Sequence, residues 1–590
     1  MSDRLGLVAG ERVTINAAEI NVTNGARIST ETFGSGNGGD LFITGRDRIT
    51  TDGAAIFGPS GFFSAVRPVQ TGQTSFQQSS GNSGNLTVNT QNLSMTGGSQ
   101  IFASTFSNGA GGNLIVNADR LELTGTIVPN PAFPNQEFPT LLAADSESGA
   151  TGHGGNLMIK SKDILIADGA NISVAARSLG NGGELTINSD RVTITGGTTN
   201  IPSTIASNSL EGASGSAGKV TLNVQQLSLL AGGQISTSTN TNAPGGLLNV
   251  NAQTITIDGK NAQGSSGLFA SALIREGQGG NIKINSDRLS ITNEGVISAS
   301  NFPSSINSTK APGIGAAGSI HISLNEFLSI SSQGGIKVRA QGGTEGNILI
   351  DAPMIKLTQG KINASAEGNA QGGNITINGN NLYLLQQSEI LANSDSLVSN
   401  TQGGNVIINT DNLIALNNSD ISANSNSSFG GRVIITTRAL IGTAFREQLT
   451  DQSDITASSA LGSEFNGIVE IKSPENDPSA GVVELAEEVV DVDRLIAPGC
   501  PVPQLSRLVV TGKGGLSSSP ASTLQNAIVW QDLRSPQVSS PVTPNISWQE
   551  ISQPIQQAQT WQLNSQGEVE LIASKFSEMS YQPGNCFHRN

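Results

Sequence analysis

The chain has little of what metal-dependent enzymes, membrane proteins and nucleic-acid-binding proteins are built from. It holds only two cysteines, Cys500 and Cys586, and three histidines, His153, His321 and His588, far apart in 590 residues. No pair of them has zinc-ligand spacing, so no metal site is expected. Aromatic residues make up 4% and charged residues 13%, with 31 Lys and Arg against 46 Asp and Glu. The net charge of −15 argues against nucleic acid, whose phosphates need clustered cations, and equally against anionic lipid. No apolar run approaches the ~18 residues of a spanning helix, so no membrane insertion is expected. The opening "MSDRLGLVAGERVTIN" has one basic residue and a very short apolar patch, and so does not read as a signal peptide.

What the chain does have is glycine, 71 residues of it, together with much Asn, Ser and Thr and a hydrophobic fraction of 36%. It also repeats itself. "GGNITINGNNLYLLQQSEILANS", residues 372–394, returns as "GGNVIINTDNLIALNNSDISANS", residues 403–425, with 13 of 23 positions identical. The same unit opens at Gly10, Gly39, Gly84, Gly112, Gly155, Gly183, Gly218 and Gly246. It opens again at Gly280, Gly318, Gly346, Gly373, Gly404, Gly431 and, more loosely, Gly467. Several spacings are 27 or 28 residues, and the longest, Gly39 to Gly84, is 45. A fixed minimum with variable excess means a core unit carrying loop insertions.

Each unit contains three short alternating runs, such as "NITIN", "NLYLL" and "SEILANS", separated by Gly, Asn, Asp and Ser. Period-two alternation marks half-buried strands, and the intervening residues tolerate the backbone of tight corners. The expected fold is all-β: a right-handed parallel β-helix of about 15 coils with three short strands per coil. A propeller would want longer units with four strands and aromatic signatures. Stacking places equivalent residues above one another, so aliphatic ladders are expected inside and Asn ladders at the corners.

Residues 1–480 form this array, with loop insertions near 57–83 and 125–153 that bring in Phe and Pro. The pattern then stops, and residues 481–590 form a separate tail with a Pro/Ser stretch, "RSPQVSSPVTPNISW". All three tryptophans and both cysteines lie in it. Two cysteines in one segment fit a single disulfide in an oxidising compartment, or two free thiols; the pairing of Cys500 with Cys586 is the expectation. The tail's apolar residues suit a cap on the last coil, whereas the first coil has none and its edge looks cut.

No motif announces catalysis or a cofactor. "GSGNGG", Gly34 to Gly39, satisfies a dinucleotide pattern but opens a repeat unit instead of joining a strand to a helix. A polysaccharide lyase or hydrolase would need carboxylates gathered on adjacent coils. Asp119, Asp163 and Asp190 occupy successive units, but as residues of equivalent corners, where Asp is favoured for the turn itself. No catalytic residue, cofactor site or metal site is assigned.

Units such as "GGNLIVNADRLELTG" and "GGNIKINSDRLSITNEGVISAS" resemble filamentous-haemagglutinin-like exoproteins common in cyanobacteria. The tail strengthens the resemblance with "LIAPGCPVPQ", "NAIVWQDLRSP", "TWQLNSQGEVELIAS" and a final "PGNC". The resemblance implies a non-enzymatic adhesin-like rod, secreted or held on the outer cell surface. It also implies export by an outer-membrane two-partner transporter and attachment to carbohydrate or cell-surface glycoconjugate. That family opens with a signal peptide and a haemagglutination/secretion domain, and neither precedes Gly10. The expectation is therefore either a start upstream of Met1 or a truncated remnant that is not exported. A Cys500–Cys586 disulfide predicts that neither residue takes a thiol label in the native chain and both do after reduction. Labelling of both without reductant refutes it.

Overall fold

The computed structural model describes residues 10–473 except 56–57, 72–75, 128–136, 274–275, 302–313, 344–345, 368–369 and 396–401, and also describes 560–563 and 569–572. Cys500 and Cys586 lie outside the described residues. The chain divides into two compact units, Met1–Leu485 and Ala486–Asn590. In the second, Thr560–Leu563 pairs antiparallel with Val569–Ile572.

The first unit is a parallel β-solenoid. Its long sheet has 17 strands, of which two neighbouring pairs, Leu247–Asn251 with Thr254–Asp258 and Asn347–Asp351 with Met354–Thr358, each share one level. That leaves fifteen levels, one for each opening glycine. A second sheet is built from short strands, mostly of three residues. A third line of single bridges runs through thirteen residues from Thr32 to Ser459. About thirteen turns are thus closed on all sides among the described residues.

The three expected strands per coil are divided differently in the structure. The first two runs are one continuous strand, as in Asn374–Leu385, bent in the middle. The bend is written in the alternation. In Leu114–Thr124 two adjacent residues, Asp119 and Arg120, are both exposed between buried Ala118 and Leu121. Pairing stops only at Asp119 and resumes in the same register at Arg120, so inward and outward sides exchange phase within one strand. The third run is the short strand, as in Glu389–Leu391.

The core is the stack of inward residues. In the coil after Gly373, Ile375, Ile377, Leu382, Leu384, Ile390 and Ala392 are all fully buried. Each large aliphatic chain contributes ~1.5–3 kcal/mol by leaving water. An amide ladder forms as expected, though along the outward side of the long strand two residues before its bend instead of at the corner: Asn223 donates to Asn188 at 2.9 Å, Asn251 to Asn223 at 2.8 Å, and Asn285 to Asn251 at 2.8 Å.

Between long and short strands the chain turns sharply. Asn417 and Asn418 both have positive φ, 61° and 57°, as do Gly97 and Gly98. Asn tolerates this left-handed region better than other side chains because it can bond locally.

Within 57–83, Gly61–Phe63 is a core-facing short strand with Phe62 fully buried, and the excursion is the hairpin of Val69–Gln70 with Phe76–Gln77. Within 125–153, Leu141–Ala143 is likewise part of the coil, and the excursion is the hairpin of Thr126–Ile127 with Phe138–Pro139.

The opening glycines form a column with no room for a side chain. From Gly84 to Gly467, a Cβ at each would stand 1.7–2.3 Å from the carbonyl oxygen of the preceding column glycine. Gly155→Ala is therefore expected to destabilise the solenoid by about 3 kcal/mol or more, through backbone clash. Gly212→Ala, at φ +92° with nothing within 4 Å, is expected to cost about 1 kcal/mol for its conformation alone. Unfolding midpoints of the two variants check the contrast, and equal effects would refute it.

Candidate functional site

Short strands of this sheet point their middle residue inward and their flanking residues outward. The register aligns one outward column level by level along the array: Phe63, Phe102, Ala143, Ser173, Ala206, Ser236 and Phe269. Two bulky rings, Phe102 and Phe269, thus bracket four small residues. Ala143 is fully buried, and the space above Ser173, Ala206 and Ser236 is a groove of about 500 Å³ that continues into a second of about 250 Å³, the two sharing Asn171, Thr204 and Asn208. Phe102 and Phe269 stand five levels apart, ~24 Å at ~4.8 Å per level.

One wall of this slot comes from excursions that alternate with tight turns. Hairpins or their equivalent stand at Ala54–Pro59, Thr126–Pro139, Gly197–Pro202 and Lys260–Ser265. The intervening coils turn instead on Gly97–Gly98, Asp168–Gly169, Ala231–Gly232 and Asn293–Glu294, all with positive φ. A two-stranded hairpin is about two levels thick, so alternate coils are all the edge can accommodate. Phe138, Pro139, Ile201 and Pro202 line the slot from this side. Glu137 ties two excursions together, accepting hydrogen bonds from Thr126, from Thr198 at 3.0 Å and from Asn200 at 3.3 Å. Burial pushes its carboxyl up, but the three hydrogen bonds together hold it below the usual range.

The opposite wall carries Glu147, Arg177, Leu210 and Asn240. Behind it sits Asp145, with a side chain wholly out of solvent. It accepts from Ser173 Oγ and the Ala175 amide, both at 2.6 Å, and from Arg177 Nε and Nη2 at 3.2 and 3.1 Å. Asn208 and Asn393 play the same part elsewhere on this face, each accepting from a serine hydroxyl and a backbone amide of the next coil. Asp145 is therefore a ladder residue whose charge also fixes Arg177. Glu147 lies 3.4 Å from Arg177. Burial, and then repulsion from Asp145, push its carboxyl up to about 7 against the attraction of Arg177 and Arg67. Further along, Arg27 and Arg67 lie over the rings of Phe63 and Phe106, each 4.2 Å from the centroid.

Asp119, Asp163 and Asp190 are placed elsewhere, at the bend of the long strand, and are not brought together. They are also not all equivalent. Asp119 and Asp190 share a column with Lys162, whereas Asp163 is one residue on, level with Arg120 and Arg191. The shift arises because "KSKDILI" carries its Asp later than "NADRLEL" does. Lys162 pairs with Asp119 at 3.2 Å, Arg191 with Asp163 at 2.7 Å, and Gln225 donates to Asp190 at 2.9 Å. These are exposed cross-level pairs, each worth ~0–1 kcal/mol. Among the described residues no three His, Cys, Asp or Glu gather as metal ligands. His153 accepts from the Asn181 amide at 3.0 Å, and His321 pairs with Asp351 at 3.3 Å. Asp145, Glu147 and Arg177 do not stand out in the sequence. Their signal is "AADSES" and "VAARS", charges placed two to four residues after the short strands Leu141–Ala143 and Asn171–Ser173.

Glu147 yields a pH signature. Its folded-state pKa, about 7, lies above the ordinary 4.5, so the native chain holds a proton that the unfolded chain releases. Stability is therefore expected to fall as pH rises from about 4.5 to about 7 and to level off above, by at most ~3 kcal/mol from this group. Glu147→Gln is expected to remove that decline, measured as the difference between variant and parent unfolding midpoints across the window. Parallel pH profiles would refute the assignment.

Set against known proteins, the chain has no match among protein-family models, curated proteins or solved structures.

Proposed function

We propose that this chain is a non-enzymatic, adhesin-like rod that attaches to carbohydrate through the outer face of its short-strand sheet. The observation that carries this reading is the slot between Phe102 and Phe269, floored by small side chains and walled by amides, hydroxyls and rings. Such a lining suits sugars, whose hydroxyls bond to amides and whose C–H faces lie against aromatic and apolar surfaces. Binding over turnover is supported by the state of the carboxylates. Asp145 is buried and fully bonded, and Asp119 and Asp163 face cations. Glu147 stands in the slot with no second accessible carboxylate among the described residues that line it. The resemblance of repeats and tail to filamentous-haemagglutinin-like exoproteins supports a place outside the cell, reached through an outer-membrane two-partner transporter.

The full chain is expected to co-sediment with insoluble polysaccharide and to release neither new reducing ends nor unsaturated sugars from it. Release of either product, abolished by Glu147→Gln, would replace this reading with a polysaccharide hydrolase or lyase. Absence of sedimentation with every polysaccharide tried would remove the adhesive reading.

A further inference from the structure

The carbohydrate reading leaves open which glycan the slot takes and how it lies. Resting on that reading, we propose that the slot is a binding site for a neutral, extended glycan lying along the solenoid axis. It takes about one sugar unit per coil and about five units between Phe102 and Phe269, at the ~4.8 Å spacing of the levels.

The direction follows from the ladders. Along the axis the floor repeats at ~4.8 Å, close to the length of one pyranose in an extended chain, so successive sugars meet equivalent side chains. Across the axis Phe138, Pro139, Ile201 and Pro202 on one side and the Glu147 side on the other confine the ligand. The length follows from the ends. Phe102 and Phe269 close the column of Ala143, Ser173, Ala206 and Ser236 at both extremities.

The polar groups needed are present and unspent. The side-chain nitrogens of Asn171, Asn208 and Asn240 donate to no protein acceptor among the described residues, although the Asn171 oxygen accepts from Thr204 at 2.6 Å and the Asn208 oxygen from Ser236 and Ser238. All three line the slot. Backbone groups are not on offer, because each short strand pairs with the coils on both sides. Strand addition by a peptide is therefore excluded on this face.

Neutrality follows from the charges. Among the described residues, Glu147 and Arg177 are the charged side chains lining the slot, and Arg177 is already bonded to Asp145 and paired with Glu147. That leaves none of these lining cations for a uronate or sulfate, and ionised Glu147 would repel one.

The test uses the folded full chain and a series of neutral cello-oligosaccharides from dimer to hexamer, with hexagalacturonate as the acidic comparison, by isothermal titration. Affinity is expected to climb with each sugar to about five and then level off, with hexagalacturonate bound at least tenfold more weakly than cellohexaose. Ala206→Trp projects into the slot and is expected to weaken the hexamer at least tenfold. Asn240→Ala, whose amide has no internal role, is expected to weaken it roughly three- to tenfold, the loss of one hydrogen bond. Circular dichroism of both variants guards against misfolding.

Unchanged binding in both folded variants would overturn the slot while leaving an adhesive rod. Tighter binding of hexagalacturonate would overturn neutrality. Failure of every hexasaccharide by a chain that still sediments with polysaccharide would overturn the site alone. Loss of sedimentation as well would overturn the reading beneath it.

Discussion

Everything in the solenoid depends on how closely the backbone of one coil passes over that of the next. At the opening of each unit a carbonyl oxygen lies where the following glycine's Cβ would be, so any side chain there would force the levels apart. The same glycines also close the coils. Gly112 N–H donates to the Ala103 carbonyl at 2.9 Å, Gly183 to Val174 at 2.9 Å, and Gly404 to Ala392 at 2.7 Å, each reaching back across the coil just completed. Glycine is thus required for the spacing along the axis, and its main-chain N–H, which any residue but proline would supply, closes the coil. With both settled, the parallel register of the two sheets follows, and with it the alignment of every outward column.

That alignment separates two kinds of sequence position. Inward residues must fill a close-packed interior, and they are mostly Ile, Leu, Val and Ala, with occasional Phe or Met and a few hydrogen-bonded hydroxyls such as Thr51 with Ser99. Outward residues are released from that demand, and on the short-strand face they change from ring to methyl to hydroxyl and back to ring. This variation makes the floor of the slot, and the hairpin excursions of alternate coils add one wall. A rigid scaffold with freely chosen outward side chains holds a binding surface without the cost of ordering loops on contact.

Asp145 shows how charge enters such a scaffold. Its place in the ladder is that of Asn208 and Asn393, bonded to a serine hydroxyl and a main-chain amide of the next coil. A carboxylate makes the same bonds but brings a charge into a site closed to solvent, and the charge is tolerated because Arg177 meets it two-pronged. The pair in turn sets the environment of Glu147, whose carboxyl is raised by burial and by Asp145 together. One substitution in a structural ladder therefore governs the polarity of the slot's wall.

The repeat, the inward aliphatic ladders and the existence of an Asn ladder are legible in the residues alone, because each depends on short-range alternation and on turn chemistry within one unit. Ile375, Ile377, Leu382 and Leu384 announce their common side by spacing. The double exposure at Asp119 and Arg120 is written there too, but a lapse in alternation suggests a break between strands where pairing in fact resumes in the same register. The slot is not legible in this way. Phe102, Ala143, Ser173, Ala206, Ser236 and Phe269 lie about thirty to forty residues apart at uneven intervals, since hairpins lengthen some units and not others. Which residues share a column is decided by interstrand hydrogen bonding between coils, a long-range register that unit length does not determine. For the same reason Asp163 falls beside Arg191 and not beside Lys162's column mates. The sequence by itself determined a stacked β fold with a glycine-spaced, aliphatic interior; the tertiary structure alone decided which outward side chains meet, because only stacking brings distant units within a few ångströms of one another.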